Sequence, residues 1–206
     1  MIPLTFSATL LVILTVLIFL GLGQKIIKGM RLTNNSALII ILTMILGHFL
    51  PTINLNTHFA LNLGALGPIF VVVYLLTTTS KFERIRALLV SVLVFLLVFL
   101  TDKILPLDPG LLDPVFSAGI FSGFLAYFWG RSRRSAFIAG ILGILITDLV
   151  NQLELWLIGI PQQTIIGSGG LFSSMIISPF IAVLIAEIMG ETRERLHSVL
   201  GGENHE

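Results

Sequence analysis

Asp148 occupies the position in this chain that most calls for a chemical explanation. It stands in "GILGILITDLVNQLELW", a run whose first half is made almost entirely of glycine, isoleucine and leucine. A carboxylate is disfavoured in hydrocarbon, and ionisable residues in such segments commonly serve ions, protons or solutes. Asn151 and Gln152 follow at i+3 and i+4, so they share its helical face. Together these residue types predict a small polar binding site.

Other ionisable residues are expected at a similar depth. His48, Asp102 and Asp148 lie 17, 16 and 14 residues beyond the last arginine of the preceding basic cluster. At helical rise they are therefore roughly 21–26 Å from it. The candidate binding residues of this predicted polar layer are His48, Asn62, Asp102, Asp148, Asn151, Gln152, Ser173 and Ser174. Two alternatives stay open: Asp102 as the first residue of an outer loop, and His48 as an interfacial histidine.

The composition indicates a membrane environment for the helices that carry these residues. Of the 206 residues, 55% are hydrophobic and 11% are charged, which is under half the usual charged share of a soluble domain. The mean hydropathy is +1.02. We therefore predict an all-α, polytopic transmembrane helix bundle over residues 1–190, followed by a cytoplasmic tail over residues 191–206.

Polar and turn-forming breaks predict about seven spans in this bundle. The second is short because Pro51 ends it early, so a re-entrant segment is an alternative there. The first lacks the features of a cleavable signal peptide and is interpreted as a retained helix. The predicted spans are 3–23, 35–50, 62–79, 87–103, 115–130, 135–159 and 170–189.

Basic residues alternate between the predicted loops. Eleven of the twelve lysines and arginines follow the first, third, fifth and seventh spans, and only Lys103 lies in the other loops. The positive-inside rule places the basic loops in the cytoplasm, so we predict an N-out, C-in orientation. Segments 51–61, 102–114 and 160–169 are then outer loops, and the polar layer lines a cavity that opens outward.

Several familiar chemistries are absent from the sequence. The chain has no cysteine, which excludes disulfides, thiolate catalysis and cysteine-ligated metals. It has no glycine-rich phosphate loop after a strand, no HExxH motif and no nucleophile elbow. Its basic residues form short clusters beside the spans, so nucleic-acid binding is not expected. We predict no metal and no cofactor.

Four stretches resemble a known family. They are "FLGLGQKIIKGMRLTNNSAL", "LNLGALGPIFVVVYLL", "GRSRRSAFIAGILGILITDLV" and "AEIMGETRERL". In this order they are similar to a family of small prokaryotic multi-pass membrane proteins that is catalogued only as a domain of unknown function. The resemblance covers nearly the whole chain. It implies a location in the prokaryotic cytoplasmic (inner) membrane and no particular activity.

Three functional hypotheses stay open. The first is transport or permeation of a small solute or ion through the outward-facing polar cavity, with the lipid bilayer as the surrounding partner. The second is a non-enzymatic membrane partner or sensor subunit, in which the polar residues only fix the packing. The third is an intramembrane aspartyl hydrolase, with Asp102 and Asp148 sharing a proton. The third lacks the Gly-x-Gly-Asp motif typical of intramembrane aspartyl proteases. The sequence does not determine the oligomeric state.

Overall fold

The computed structural model describes residues 24–48, 50–54, 59–104, 114–159, 164–166 and 174–202. These residues form a mostly helical protein, as the sequence predicts. The first predicted span, 3–23, lies outside them. In chain order the elements are α1 (Gln24–Gly29), α2 (Asn34–His48), β1 (Thr52–Asn54), β2 (Phe59–Asn62), a 3-10 turn (Leu63–Ala65), α3 (Leu66–Thr77), α4 (Lys81–Ile104), α5 (Pro114–Gly130), α6 (Arg133–Ile158), β3 (Thr164–Ile166) and α7 (Ser174–Gly202).

Three helices within the described ranges are long and apolar enough to cross a membrane. They are α4, α6 and the Met175–Glu194 part of α7, with hydropathies of 2.4, 1.8 and 1.7. A hydrocarbon layer of about 30 Å needs roughly 20 apolar residues. Helices α2, α3 and α5 have 15, 12 and 17 residues and are shorter than that. Each overlaps a predicted span, but a full set of seven crossings stays a prediction.

Helix α4 buries its small side chains and exposes its large ones. Its buried face consists of Ala87, Val90, Ser91, Val94 and Val98. Its exposed face consists of leucines and other large apolar residues, among them Leu88, Leu89, Val92, Leu96, Leu97 and Leu100. In water the larger apolar side chains would be the buried ones. The reverse arrangement suits lipid, because small residues let helices approach closely while large ones face acyl chains.

Glycines allow neighbouring helices to pack closely. A Cβ at Gly119 or Gly123 of α5 would lie 2.8 Å from an atom of α7. At Gly140 of α6 it would lie 2.8 Å from the Cα of Pro179 in α7, and at Gly143 it would lie 2.5 Å from a methyl carbon of Val94 in α4. These glycines therefore serve packing within the bundle.

Polar contacts fix the relative direction of α4 and α6. Near their first turns, the Ser132 hydroxyl donates to Glu83. Near their last turns, Lys103 Nζ lies 2.5 Å from Glu154 Oε1. The two helices therefore run parallel, and a residue of α4 lies level with the residue about fifty positions later in α6.

Helix α7 runs antiparallel to α6. The guanidinium of Arg133, in the first turn of α6, forms an ion pair with Glu187 in the second half of α7. Further along α6, Gly140 lies against Pro179, which is nearer the start of α7. The later turns of α7 consequently pack at the end of the bundle where α6 begins.

A small three-stranded sheet corrects the expectation that segments 51–61 and 160–169 are plain loops. Strand β1 pairs antiparallel with β2, with Thr52 opposite Asn62. Strand β2 pairs in parallel with β3, with Phe59 opposite Thr164. The sheet joins the α2–α3 connection to the segment after α6, at the end of the bundle away from Arg133.

Candidate functional site

Helix α6 carries the central part of the predicted polar layer. Asp148 and Asn151 are half-buried, and Gln152 is only 1% exposed. Thr147 is also buried, and its hydroxyl donates a hydrogen bond to the Gly143 carbonyl at 2.8 Å. The helix begins with a capped first turn and continues for 26 residues, so these polar groups lie well inside an apolar element.

The structure brings Asn62 to the level of Asp148. Arg134 Nη1 donates to the Thr78 carbonyl at 3.0 Å, which joins the start of α6 to the end of α3. From that contact Asp148 lies 14 residues along α6, and Asn62 lies 16 residues back through α3 and the 3-10 turn. Both distances correspond to roughly 20–25 Å.

The end of α2 reaches the same level. A Cβ at Gly67 of α3 would lie 2.9 Å from the Thr43 carbonyl oxygen. Counting from that contact along the antiparallel pair places His48, the last residue of α2, level with Asn62. The side chains of His48 and Ser174 lie outside the described part of the chain, and so does Ser173.

The Asn62 side chain stabilises the turn before α3. It is 6% exposed, and its Oδ1 accepts a hydrogen bond from the Gly64 amide at 2.6 Å. This contact caps the 3-10 turn that leads into α3.

Asp102 is exposed and lies in the last turns of α4, which ends at Ile104. The alternative that it opens an outer loop is therefore wrong. Because Lys103 contacts Glu154, Asp102 lies level with about Leu153, roughly 7 Å beyond the level of Asp148. Two carboxylates that share a proton must be in direct contact, so this offset does not favour the hydrolase hypothesis.

A second set of charged residues, which sequence reasoning treated only as a topology signal, surrounds a cavity at the opposite end. This cavity of 360 Å³ lies between the α1–α2 turn, the start of α4 and the α5–α6 turn, and we call it the arginine cavity. Its charged lining residues are Arg31, Glu83, Arg86, Arg131, Arg133 and Arg134.

Glu83 organises one wall of the arginine cavity. It accepts hydrogen bonds from Arg31 Nη1 at 3.4 Å and from the Ser132 hydroxyl. The Ser132 oxygen also accepts from the Ser135 amide at 3.1 Å and thereby caps α6. One carboxylate thus connects three separate segments of the chain.

Arg134 is the buried member of the set. It is 4% exposed, although it carries a charge that ordinarily keeps arginine at the surface. Its Nη1 reaches the Thr78 carbonyl, whereas its Nε is buried without a hydrogen-bond partner among the described residues. Beside it, Arg31 and Arg131 adopt left-handed backbone conformations, with φ of 54° and 51°.

A neighbouring cavity of 410 Å³ continues the basic surface toward α7. It shares Arg131 and Arg133 with the arginine cavity and adds Arg193 and Glu194. Basic residues from the α1–α2, α4 and α5–α6 segments and from α7 therefore meet at one end of the bundle. Within the described ranges, no three histidines, cysteines, aspartates or glutamates lie close enough together to hold a metal ion.

The polar layer and the arginine cavity both lie in the part of the chain that matches a known family. Residues 24–185 match the family described as "Protein of unknown function (DUF1614)". The chain belongs to this family. The match confirms the resemblance to a domain of unknown function over residues 24–185, which include Asp148 and the arginine cavity. It ends before Glu187, Gly190 and Arg193. No curated protein and no solved structure matches the chain.

Proposed function

We propose that this DUF1614 protein is an integral protein of the prokaryotic inner membrane that lets a small solute or ion cross the bilayer through the polar layer. The observation that carries the proposal is the position of Asp148. It is half-buried on a 26-residue apolar helix, one turn from the fully buried Gln152. Ionisable side chains inside apolar segments commonly serve ions, protons or polar solutes.

The chemistry of the layer suits ligands that bind oxygen and amide groups. Asp148, Asn151 and Gln152 supply a carboxylate and two amides on neighbouring turns of α6, and Asn62 lies at the same level. Carboxylate and amide oxygens are the ligands that hard cations prefer. The same groups hydrogen-bond small polar solutes, so the proposal covers both an ion and a neutral solute.

The orientation that we propose places the arginine cavity in the cytoplasm. Cytoplasmic ends of membrane helices carry the excess of lysine and arginine. The layer of Asp148 lies roughly 20–25 Å away along α6, which puts it in the outer part of a hydrocarbon layer of about 30 Å. A solute would then enter the layer from the outside.

Flux measurements on one matched pair of variants test the proposal. The full chain is reconstituted in liposomes, and uptake of protons, sodium, potassium and small neutral solutes is compared with that of empty liposomes. Asp148→Asn should reduce the wild-type flux at least about tenfold, because a charged group that contacts the solute contributes roughly 1.5–3 kcal/mol. Asp102→Asn, on the exposed surface of α4, should keep it.

Thermal unfolding of the same preparations separates transport from packing. Asp148→Asn is isosteric and keeps a hydrogen-bonding side chain, so we expect it to unfold close to the wild-type temperature. The transport proposal is wrong if the wild-type protein moves none of these solutes, or if Asp148→Asn retains full flux. A variant that unfolds earlier and still transports normally would instead assign Asp148 to the packing of a membrane partner protein.

A further inference from the structure

The arginine cavity carries more positive charge than its own residues neutralise. Five arginines and one glutamate line it, which gives the lining a formal charge of +4. Glu83 is shared between Arg31 and the Ser132 hydroxyl. Glu187, which lies outside the lining, pairs with Arg133. Arg86, Arg131 and Arg134 thus remain as the excess charge of this cavity.

Burial makes this excess significant at Arg134. An exposed arginine is neutralised by water and salt, but a guanidinium that is 4% exposed depends on its neighbours. Its Nε–H is buried with no acceptor among the described residues. An anion in the cavity would supply the acceptor and the negative charge.

The volume and the donor groups of the cavity suit a phosphate group. Its 360 Å³ far exceeds the ~30 Å³ share of one water. Guanidinium groups bind phosphate oxygens with paired, parallel hydrogen bonds. The cavity also adjoins the first turn of α6, whose N-terminal end favours negative charge.

We propose that the arginine cavity is a binding site for a phosphate-bearing anion, held by Arg86, Arg131 and Arg134. The anion is either a free phosphate compound or the phosphate of an acidic lipid headgroup, since the cavity lies where the apolar helices end. This site is separate from the polar layer, which lies at the other end of α6. Its existence does not depend on the transport proposal.

The decisive comparison uses two double variants that remove the same charge. Arg86→Gln with Arg131→Gln changes two exposed arginines of the lining. Lys28→Gln with Lys81→Gln changes two exposed lysines in α1 and α4 that do not line the cavity. The full chain is held in phosphatidylcholine nanodiscs, and calorimetry measures binding of inorganic phosphate and of pyrophosphate. Thermal unfolding is also compared between pure phosphatidylcholine nanodiscs and nanodiscs containing phosphatidylglycerol.

A free-anion site predicts saturable binding to the wild type and the lysine variant, with at least about tenfold weaker binding to the arginine variant. A lipid site predicts no calorimetric signal. Instead, phosphatidylglycerol would raise the unfolding temperature of the wild type and lysine variant but not of the arginine variant. Absence of both effects, or equal loss in both double variants, overturns the proposal. If the arginine double variant does not fold, Arg86→Gln alone gives the same comparison.

Discussion

Two charged residues on α6 are buried to different extents for different reasons. Arg134 lies in the first turn, where Thr78 and the Glu83 network surround it. Asp148 lies four turns later in an apolar segment with amide neighbours. Burial of a charge is costly, so both residues mark positions where the chain keeps a charged group among packed helices.

At the residue scale, Glu83→Gln should affect stability and anion binding in opposite directions. The change weakens the hydrogen bonds to Arg31 and Ser132, so the free energy of unfolding should fall by roughly 1–3 kcal/mol. It also removes the one carboxylate that the described residues contribute to the cavity lining, so phosphate should bind more tightly. Thermal unfolding in detergent and phosphate calorimetry measure the two effects.

Glu154→Gln is the matched control for that prediction. Glu154 pairs with Lys103 at the far end of the bundle, where both side chains are substantially exposed. Exposed ion pairs contribute about 1 kcal/mol or less, and phosphate binding should not change. Equal behaviour of the two variants would contradict the role assigned to Glu83.

Asn62→Ala tests whether the buried amide stabilises the start of α3. Loss of the hydrogen bond from Gly64 to Asn62 should lower the free energy of unfolding by about 1 kcal/mol. Asn62→Asp keeps an acceptor at the same position and should recover most of that loss in thermal unfolding. If the alanine and aspartate variants unfold together, the cap is not what stabilises the turn.

The sequence predicted one candidate site and missed the other for a physical reason. Asp148 stands out because a carboxylate is unexpected in such an apolar run of sequence. The arginines do not, because the positive-inside rule explains them without any ligand. Only tertiary structure shows that Arg31, Glu83 and Ser132 meet, since they lie in three segments far apart in sequence.

At the element scale, the contact between α6 and α7 depends on the absence of a side chain at Gly140. Gly140→Ala would place a methyl group 2.8 Å from the Pro179 Cα, and backbone atoms cannot move aside as a flexible side chain can. Overpacking of this kind costs roughly 1–3 kcal/mol, which thermal unfolding in detergent should detect as an earlier transition.

Gly190→Ala provides the control in α7. Its new methyl group would lie 3.5 Å from Arg133 Nη2, which is an ordinary van der Waals contact. Since alanine is the better helix former by about 1 kcal/mol, this variant should be neutral or stabilised. A Gly140→Ala protein as stable as the wild type would contradict the close α6–α7 packing.

Helices were more predictable than strands in this chain. Predicted spans such as 87–103 and 135–159 overlap α4 and α6, because long apolar segments have few alternatives in lipid. The sheet was not predicted, since its strands have three or four residues and four α-helices separate β2 from β3 in the chain. Such short segments have no hydrophobic alternation long enough to recognise.

At the scale of the whole molecule, charge separates the two ends of the bundle. One end contains the arginine cavity and the basic residues of α7. At the sheet end, the charged residues within the described ranges are Asp102, Lys103 and Glu154. Apolar side chains cover the outside of α4 between these ends. This arrangement is what a protein needs in order to stand upright in a bilayer with one cationic face.

Site-directed cysteine labelling in intact cells tests the central claim, and the absence of native cysteines makes it direct. The variants are Thr52→Cys at the sheet, Asn151→Cys in the polar layer and Thr192→Cys at the arginine-rich end of α7. A membrane-impermeant maleimide added outside should label the Thr52→Cys and Asn151→Cys variants, and should label Thr192→Cys only after the cells are opened. Labelling of Thr192→Cys from outside, or failure of Asn151→Cys to react from either side, would contradict an outward-facing polar layer opposite a cytoplasmic arginine cavity.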